Sequence, residues 1–348
     1  MLTLRSAQFL LLTLMKKFLV IQTAFIGDVI LATGVIEKLH KFFPEATIDF
    51  LVRKGNESLF TNHPYLHEVL VWDKKQKKLP NLWRMLMKIR TRKYDKVINI
   101  HRYATTGLLT GFSNAKEKIG FNKNPLSILF DTPVTHAFSD KDSSAEARHE
   151  IERNNDLLRH FTDDIAYPPV LYPSPSDFEH VARFKNNSYI CVAPASVWFT
   201  KQYPKEKWIT FINALPAHLP VYLLGAPGDK PLAEEILSNC QGKLVTNLCG
   251  SLSFLQSAAL MKDAVMNFVN DSSPMHLASS VNAPVTAVYC STVPAFGYGP
   301  LSEKRFIVER EEPLYCRPCG LHGYKQCPEG HFKCALEIRD EQLLNVLQ

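Results

Sequence analysis

The chain has 348 residues, which is enough for two domains of ordinary size. Apolar residues make up 46% and charged residues 21%, a composition that excludes a collagen-like, disordered or membrane-bundle protein. The net charge of +6 is uneven, because residues 1–160 are strongly basic and residues 161–348 are mildly acidic. This asymmetry indicates that the two halves meet different partners, and the basic half suits nucleic acid, an anionic membrane surface or a phosphorylated substrate.

The first 14 residues are apolar over a stretch that is too short to span a bilayer. Lys16 and Lys17 follow this stretch, no small-residue cleavage site is present, and a strand pattern begins at once. A cleaved signal peptide is therefore not predicted. We interpret residues 1–14 as an N-terminal extension, with Met15 as an alternative start.

The first half alternates strand-like apolar runs with helical patterns from Lys17 onward. Strands are predicted at 18–21, 47–52, 69–72 and 96–100, and helices at 29–43 and 80–92. Strands that alternate with helices favour βαβ units and a parallel sheet. Residues 15–165 are thus predicted to form one Rossmann-like lobe.

Four prolines within residues 166–177 predict an extended linker, after which the alternation restarts. Strands are predicted at 189–192, 221–224, 265–269 and 285–289, and helices at 205–216, 231–239, 253–261 and 274–281. Residues 178–334 would form a second Rossmann-like lobe, and residues 335–348 a C-terminal helix. The predicted fold class is α/β, with two parallel sheets that face each other across a cleft.

Ligands of such sheets bind beyond the carboxyl ends of the strands, so the loops there are the candidate sites. The loop after the first strand, residues 22–28, lacks the G-x-G-x-x-G pattern, which argues against a dinucleotide cofactor. Gly27 permits a tight turn in it. Asp28 then opens a helix, either as a plain helix cap or as a carboxylate that acts as a general base.

Three loops of the second lobe could bind a nucleotide. Residues 193–205 combine Ser, Thr and Lys before a helix, which suits phosphate or simply makes a solvated basic loop. Asp229 follows a Gly-rich turn and could bind ribose hydroxyls or only complete the turn. Residues 270–276 end a strand and begin a helix whose free N–H groups could hold a diphosphate. His276 lies in that first turn, as a ligand or as a packed core histidine.

The eight cysteines fall into two sets. Four occur singly in apolar or small-residue runs, which predicts buried, reduced thiols in a reducing compartment. The others form a C-x2-C-x7-C-x6-C pattern that begins like a structural zinc site, with free or redox-labile thiols as the alternative. These four are Cys316, Cys319, Cys327 and Cys334.

The order of these motifs resembles that of the ADP-heptose:lipopolysaccharide heptosyltransferases, which are inverting glycosyltransferases of the GT-B architecture, and especially that of the second-heptose enzymes. The matching segments are TAFIGDVILATGVIEKL, NHPYLHEVLVWDK, YDKVINIHR, HEIERNNDLL and NDSSPMHLAS. The resemblance spans about residues 15–340. It departs from the family pattern at Ser273, where glycine is usual, and at Tyr203, where tryptophan is common.

The resemblance implies transfer of a heptose from ADP-heptose to the lipopolysaccharide inner core with inversion. Asp28 is the expected general base, and Lys201 would balance the charge on the departing ADP, with no cofactor required for catalysis. The implied donor-binding residues are Ser196, Thr200, Lys201, Asp229, Asp271, Ser272, Ser273 and His276. The acceptor-side candidates are Thr23, Gly27, His101 and Arg102.

The basic lobe then has an explanation, since the inner core carries carboxylates and phosphates on a membrane lipid. The basic residues of 74–93 could attract it, or could simply form a solvated face. The resemblance implies a cytoplasmic enzyme, peripheral at the inner face of the inner membrane, with no nucleic-acid partner.

Three alternatives remain at the level of the sequence. The first is a GT-B enzyme with a different nucleotide sugar, and the second is a sugar-nucleotide epimerase. The third is a basic zinc-containing protein that binds nucleic acid. That third reading is disfavoured, because acidic residues outnumber basic ones around the terminal cysteines, at 311–341.

Overall fold

The computed structural model describes residues 15–74, 77–137 and 147–348, so the predicted extension at 1–14 lies outside the described residues. Over these ranges the chain divides into two compact units. The first unit contains residues up to 137 together with 150–169, and the second contains 147–149 and 170–348. Each unit is built around one parallel sheet.

The sheet of the first unit has six parallel strands in the order β3-β2-β1-β4-β5-β6. The strands are β1 Lys17–Ile21, β2 Thr47–Arg53, β3 Glu68–Trp72, β4 Lys96–Asn99, β5 Glu117–Phe121 and β6 Thr132–Val134. The helices are α1 Ile26–Leu31, α2 Thr33–Phe42, α3 Lys78–Arg92, α4 Ala104–Gly111 and α5 Glu150–Asp156. This strand order is that of a Rossmann sheet, as predicted.

The core of the first unit explains its local structure. All of β1 after its first residue is buried, as expected for a central strand covered on both faces. The predicted helix at 29–43 is in fact two helices, α1 and α2, which meet at Ala32. At Gly34 a Cβ atom would lie 2.2 Å from the carbonyl oxygen of Tyr167, so only glycine lets α2 pack this closely on that segment.

The second unit repeats the same topology, with the strand order β12-β11-β10-β7-β8-β9. The strands are β7 Ile190–Ala193, β8 Val221–Leu223, β9 Val245–Asn247, β10 Met266–Asn270, β11 Val285–Tyr289 and β12 Arg305–Glu309. The helices are α6 Pro175–Val181, α7 Lys205–Ala214, α8 Lys230–Ser238, α9 Phe254–Lys262, α10 Ser273–Ser280, α11 Lys333–Leu336 and α12 Asp340–Leu344. The predicted fold of two α/β units with parallel sheets is confirmed.

Two segments differ from the prediction. The proline-rich segment at 166–177 includes the start of α6, where Ser174 and Asp177 form a reciprocal capping box. The prediction of a continuous C-terminal helix at 335–348 is wrong, because α11 and α12 are separate short helices. Ile338 between them and Leu343 in α12 are buried in the core of the second unit, so the chain turns to bury both side chains.

In the part of the chain that the structure describes, no helix is long and apolar enough to cross a membrane.

Candidate functional site

Asp28 lies just beyond the carboxyl end of β1, in the first turn of α1. Phe25 occupies the N-cap of this helix and makes no side-chain cap hydrogen bond, so Asp28 is not the N-cap residue. Its side chain is only partly exposed. A carboxylate in the first turn of a helix is favoured by the helix dipole.

The environment of Asp28 makes its carboxylate an unusually strong base. Burial, together with the negative charge of Glu150, raises the pKa of Asp28 from 3.8 to about 6. A hydrogen bond with the Phe25 backbone and the positive charge of Arg102 act in the opposite direction. A group with this pKa is mostly deprotonated at neutral pH and still accepts a proton readily, which suits a general base.

The loop that precedes Asp28 is held to the end of β4. Thr23 Oγ1 and His101 Nδ1 are hydrogen-bonded at 3.1 Å, and both residues are buried. The Lys74 ammonium donates to the Thr23 carbonyl at 2.8 Å. Burial and the charges of Lys74 and Arg102 lower the pKa of His101 to about 3, so this histidine is neutral at physiological pH. The structure thus brings together Thr23, His101 and Arg102, and Gly27 directly precedes Asp28.

Sequence reasoning missed two charged neighbours of Asp28. Arg53 ends β2, its guanidinium lies 4.7 Å from the Phe25 ring centroid, and its charge acts on Asp28. Its position at the end of a strand could have identified it from the sequence. Glu150 is buried in α5 and pairs with Arg153 at 2.7 Å. No local pattern predicts that α5 returns to the end of β1.

In the second unit, the sequence-predicted residues Lys201 and Asp271 form an ion pair. The Lys201 ammonium lies 2.6 Å from Asp271 Oδ2, and the Thr292 hydroxyl donates to the same oxygen at 2.6 Å. Both side chains of the ion pair are largely shielded from solvent. The pair fixes one cation beside the start of α10, and an ammonium has two further donors for a ligand anion.

Asn270 at the end of β10 ties the 194–203 loop to the sheet. Its Oδ1 accepts from the Tyr203 backbone N–H and its Nδ2 donates to the Pro194 carbonyl, both at 2.8 Å. Ser196 lies in this loop, where its carbonyl accepts from the Gln202 side chain at 2.6 Å. The amide of Asn270 is fully buried, so the loop that carries Lys201 has a rigid base.

Thr200 is buried, and its hydroxyl is already engaged inside the second unit. It accepts from the Tyr324 backbone N–H at 2.7 Å and from the Ser291 hydroxyl at 3.0 Å, and the Thr200 N–H donates to the Tyr324 carbonyl at 3.1 Å. A Cβ atom at Gly323 would lie 2.8 Å from Thr200 Oγ1 and 3.0 Å from Lys201 Cγ. Thr200 therefore fastens Lys201 to the segment around residue 323.

The helix α10 begins next to this ion pair. Ser272 is its N-cap and Ser273 its first residue, and the Ser272 hydroxyl donates to the Asn270 carbonyl at 3.3 Å. His276 is buried, and among the described residues its Nδ1 has no hydrogen-bond partner. Burial and the nearby His149 lower the pKa of His276 to about 3, so it is neutral.

Asp229 stands apart from the Lys201–Asp271 pair. Its Oδ2 accepts from the Ala226 backbone N–H at 2.7 Å, which closes the turn between β8 and α8. Among the described residues, no hydrogen bond or ion pair joins Asp229 to Lys201 or Asp271. Asp229 therefore completes the turn, which is one of the two roles that the sequence predicts for it.

All eight cysteines are free thiols, and the four singly spaced ones are buried as predicted. In the terminal cluster, Cys319 Sγ donates to the Cys316 carbonyl at 3.1 Å, and Cys316 Sγ lies 3.9 Å from His331 Nε2. Within the described ranges, no three histidine, cysteine or acidic side chains are arranged to hold a metal ion. The cluster as arranged does not fit a metal, and the zinc site remains a prediction from spacing.

Comparison with known proteins identifies the class to which this fold and these residues belong. The sequence model of glycosyltransferase family 9 (heptosyltransferase) matches residues 82–328. The chain therefore belongs to this family, and it is a glycosyltransferase. The match begins after Asp28, so the family assignment does not by itself give that residue a role.

Individual relatives agree with the family. Lipopolysaccharide heptosyltransferase 3 of Escherichia coli is 27% identical over 284 residues, which cover 77% of this chain and 82% of the relative. The structure of the E. coli ADP-heptose lipopolysaccharide heptosyltransferase II superposes with a TM-score of 0.76 at 21% identity, covering 95% of this chain and 97% of that one. The structure of a family 9 glycosyltransferase from Veillonella parvula superposes with a TM-score of 0.80 at 22% identity, with the same coverage of both chains. The predicted family and GT-B fold are confirmed.

Proposed function

We propose that the protein transfers a heptose from ADP-heptose to the inner core of lipopolysaccharide, with inversion at the anomeric carbon. Family membership and the names of the relatives support the sugar, the donor and the acceptor. The observation that carries the mechanism is Asp28, a partly buried carboxylate with a pKa of about 6 at the carboxyl end of β1. It has the properties required of the base in a single in-line displacement.

In the proposed step, an acceptor hydroxyl gives its proton to Asp28 as its oxygen attacks the anomeric carbon of the heptose. The new glycosidic bond forms while the bond between the sugar and the ADP oxygen breaks. The electron pair of that bond leaves with ADP. Thr23, in the loop before Asp28, is hydrogen-bonded to the neutral His101. These two side chains would orient the acceptor by neutral hydrogen bonds.

The donor side would be supplied by the second unit. Lys201 would bind the diphosphate and balance the charge that develops on it as the sugar leaves. The free N–H groups at the start of α10, around Ser272 and Ser273, would add to this stabilisation. Asp271 and Thr292 position Lys201 rather than contact the sugar in this scheme.

The acceptor would be recognised by the basic edge of the first unit. Arg53, Lys74 and Arg102 surround the loop of Asp28 by contact or by charge, and an inner core rich in carboxylate and phosphate would neutralise them. Because that acceptor is anchored in a lipid leaflet, we propose that the protein works as a peripheral protein at the inner face of the inner membrane.

The test is a transfer assay with ADP-heptose and truncated lipopolysaccharide acceptors that end after one or two heptoses. We expect transfer by the native protein and a loss of 100-fold or more for Asp28→Asn, which keeps the shape of the side chain (about 10²–10⁴-fold for a general base). Equal transfer by this variant would remove Asp28 as the base. Stabilisation of the native protein by UDP or GDP but not by ADP would overturn the donor assignment.

A further inference from the structure

The outer face of α3 carries an apolar stripe that none of the residues described by the structure covers. Leu79, Trp83 and Met87 are 74%, 65% and 41% exposed, and their spacing of four residues places them in one row along the helix. The opposite face of α3 packs on the sheet through Leu82 and Ile89, among other buried residues. The stripe is therefore additional to the residues that hold the helix in place.

Basic residues flank this stripe. The helix α3 has no acidic residue, and five of its fifteen residues are Lys or Arg. Lys88 and Arg92 are paired with Glu68 of β3. Among the residues that the structure describes, no salt bridge involves the remaining exposed cations, which are Lys77, Lys78, Arg84, Arg90 and Lys93.

We propose that the outer face of α3 docks on an anionic lipid bilayer, with Trp83 at the level of the headgroups. An exposed apolar row on a helix with basic flanks is the pattern of interfacial membrane binding, and tryptophan favours that interface. Charge complementarity selects an anionic bilayer, because α3 carries exposed cations that form no salt bridge among the described residues and has no carboxylate of its own. This inference rests on the proposed function for its biological setting, since a lipid-anchored acceptor requires approach to a membrane.

The position of α3 gives the docking a consequence for the reaction. The helix begins at Lys78, with five residues between it and the end of β3, so its first turn lies at the carboxyl edge of the sheet. In the connecting segment, Lys74 donates to the carbonyl of Thr23 in the loop of Asp28. A bilayer bound at Leu79 and Trp83 would thus present the acceptor headgroup at the edge where the proposed base is located.

The first test measures binding to vesicles without donor or acceptor. We expect the native protein to sediment with vesicles that contain phosphatidylglycerol, and the combined variant Leu79→Ser, Trp83→Ser and Met87→Ser to partition at least about tenfold more weakly. Leu244→Ser is the matched control, since Leu244 is 55% exposed in the second unit, and it should bind like the native protein. Equal partitioning of the triple variant and the native protein would overturn the proposal.

The second test separates charge from apolar contact. Lys78→Gln with Arg84→Gln should weaken binding to anionic vesicles by about fivefold for each cation and leave binding to pure phosphatidylcholine unchanged. The control pair is Arg183→Gln with Lys304→Gln, two exposed cations of the second unit. Equal weakening by this control pair would show that net charge, not the face of α3, drives binding.

Three further measurements distinguish other outcomes. Brominated lipids should quench the fluorescence of the native protein more than that of Trp83→Phe. If light scattering in lipid-free buffer shows a dimer that the triple variant abolishes, the face is a self-association surface and the membrane proposal fails. Transfer to a soluble, delipidated core oligosaccharide should be unchanged in the triple variant. Absence of that transfer in the native protein would count against the proposed function while leaving the vesicle result intact.

Discussion

Replacing Asp28 by Asn is expected to make the protein more stable at neutral pH while abolishing its activity. The carboxylate of Asp28 is less favourable in the folded protein than in the unfolded chain, because burial raises its pKa from 3.8 to about 6. A difference of about 2 pKa units at 1.36 kcal/mol per unit corresponds to about 3 kcal/mol at pH 7.5. Asn is neutral at every pH, and it keeps an oxygen that can accept the Phe25 backbone hydrogen bond.

The sign and the pH window follow from the two pKa values. Above pH 6, Asp28 is ionised in both the folded and the unfolded state, so the native protein bears the full cost of burying its charge. The free energy of unfolding of Asp28→Asn should then be about 3 kcal/mol higher. As the pH falls from 6 towards 3.8, the folded state takes up a proton before the unfolded state does, and the penalty fades. The advantage of the variant should shrink to about 2 kcal/mol at pH 5 and nearly vanish below pH 3.8.

The assay is urea denaturation of both proteins at a series of pH values, with unfolding followed separately by near-ultraviolet and far-ultraviolet circular dichroism. Asp95→Asn is the matched control with the opposite sign. Burial acts to raise the pKa of Asp95, but its hydrogen bonds with Lys116 at 2.7 Å and the Lys17 N–H at 2.8 Å outweigh this and lower it. Asp95→Asn should therefore destabilise the protein at neutral pH.

The reasoning would be refuted by an Asp28→Asn variant that is no more stable than the native protein at pH 7.5. It would also be refuted by a gain that does not depend on pH, since that would come from packing and not from ionisation.

Three further predictions concern activity. The kcat/KM of the native protein should rise with pH through about 6, because the proposed base Asp28 acts in its deprotonated form. In Arg102→Gln the midpoint of this rise should lie about half a pH unit higher, because a nearby cation that lowers the pKa of Asp28 is lost. Gly323→Ala should raise the KM for the donor at least tenfold by pressing on the Lys201 loop, whereas Gly330→Ala, which has a similar φ but open space, should not. Lys201→Gln should lower kcat more than it raises KM if the ammonium acts mainly on the departing diphosphate, and an effect on KM alone would contradict this.

The elements predicted correctly are those whose burial is evident from a local apolar pattern in the sequence. The central strands β1, β4, β7 and β10 are rich in apolar residues and almost entirely buried, because helices cover both faces of each sheet. Of the four edge strands, β3 was predicted, and β6, β9 and β12 were not, since β6 and β9 have only three residues each and β12 exposes its first three side chains. An edge strand obtains its partner from the sheet and needs little hydrophobic pattern of its own.

The site shows the same division between local and distant information. Asp28 and Lys201 each follow a strand of their own sheet, and parallel topology alone indicates that each lies at the carboxyl edge of that sheet. The contact of Thr200 with Tyr324 joins residues 124 positions apart, and no spacing rule predicts it. The same holds for Glu150, whose effect on Asp28 depends on where α5 packs.

Asp28 and Asp271 have opposite environments, which supports the different roles proposed for them. Asp271 accepts from both Lys201 and Thr292 at one oxygen, so its charge is compensated and it can hold a cation in place. Asp28 faces burial and the negative charge of Glu150, which leave it short of compensation and ready to take a proton. A carboxylate whose negative charge is compensated by nearby donors holds a cation well and is a poor base. A carboxylate without such compensation holds a cation less well and is a better base. The stability that Asp28→Asn should recover is thus the same free energy that, in the native protein, keeps a strong base at the end of β1.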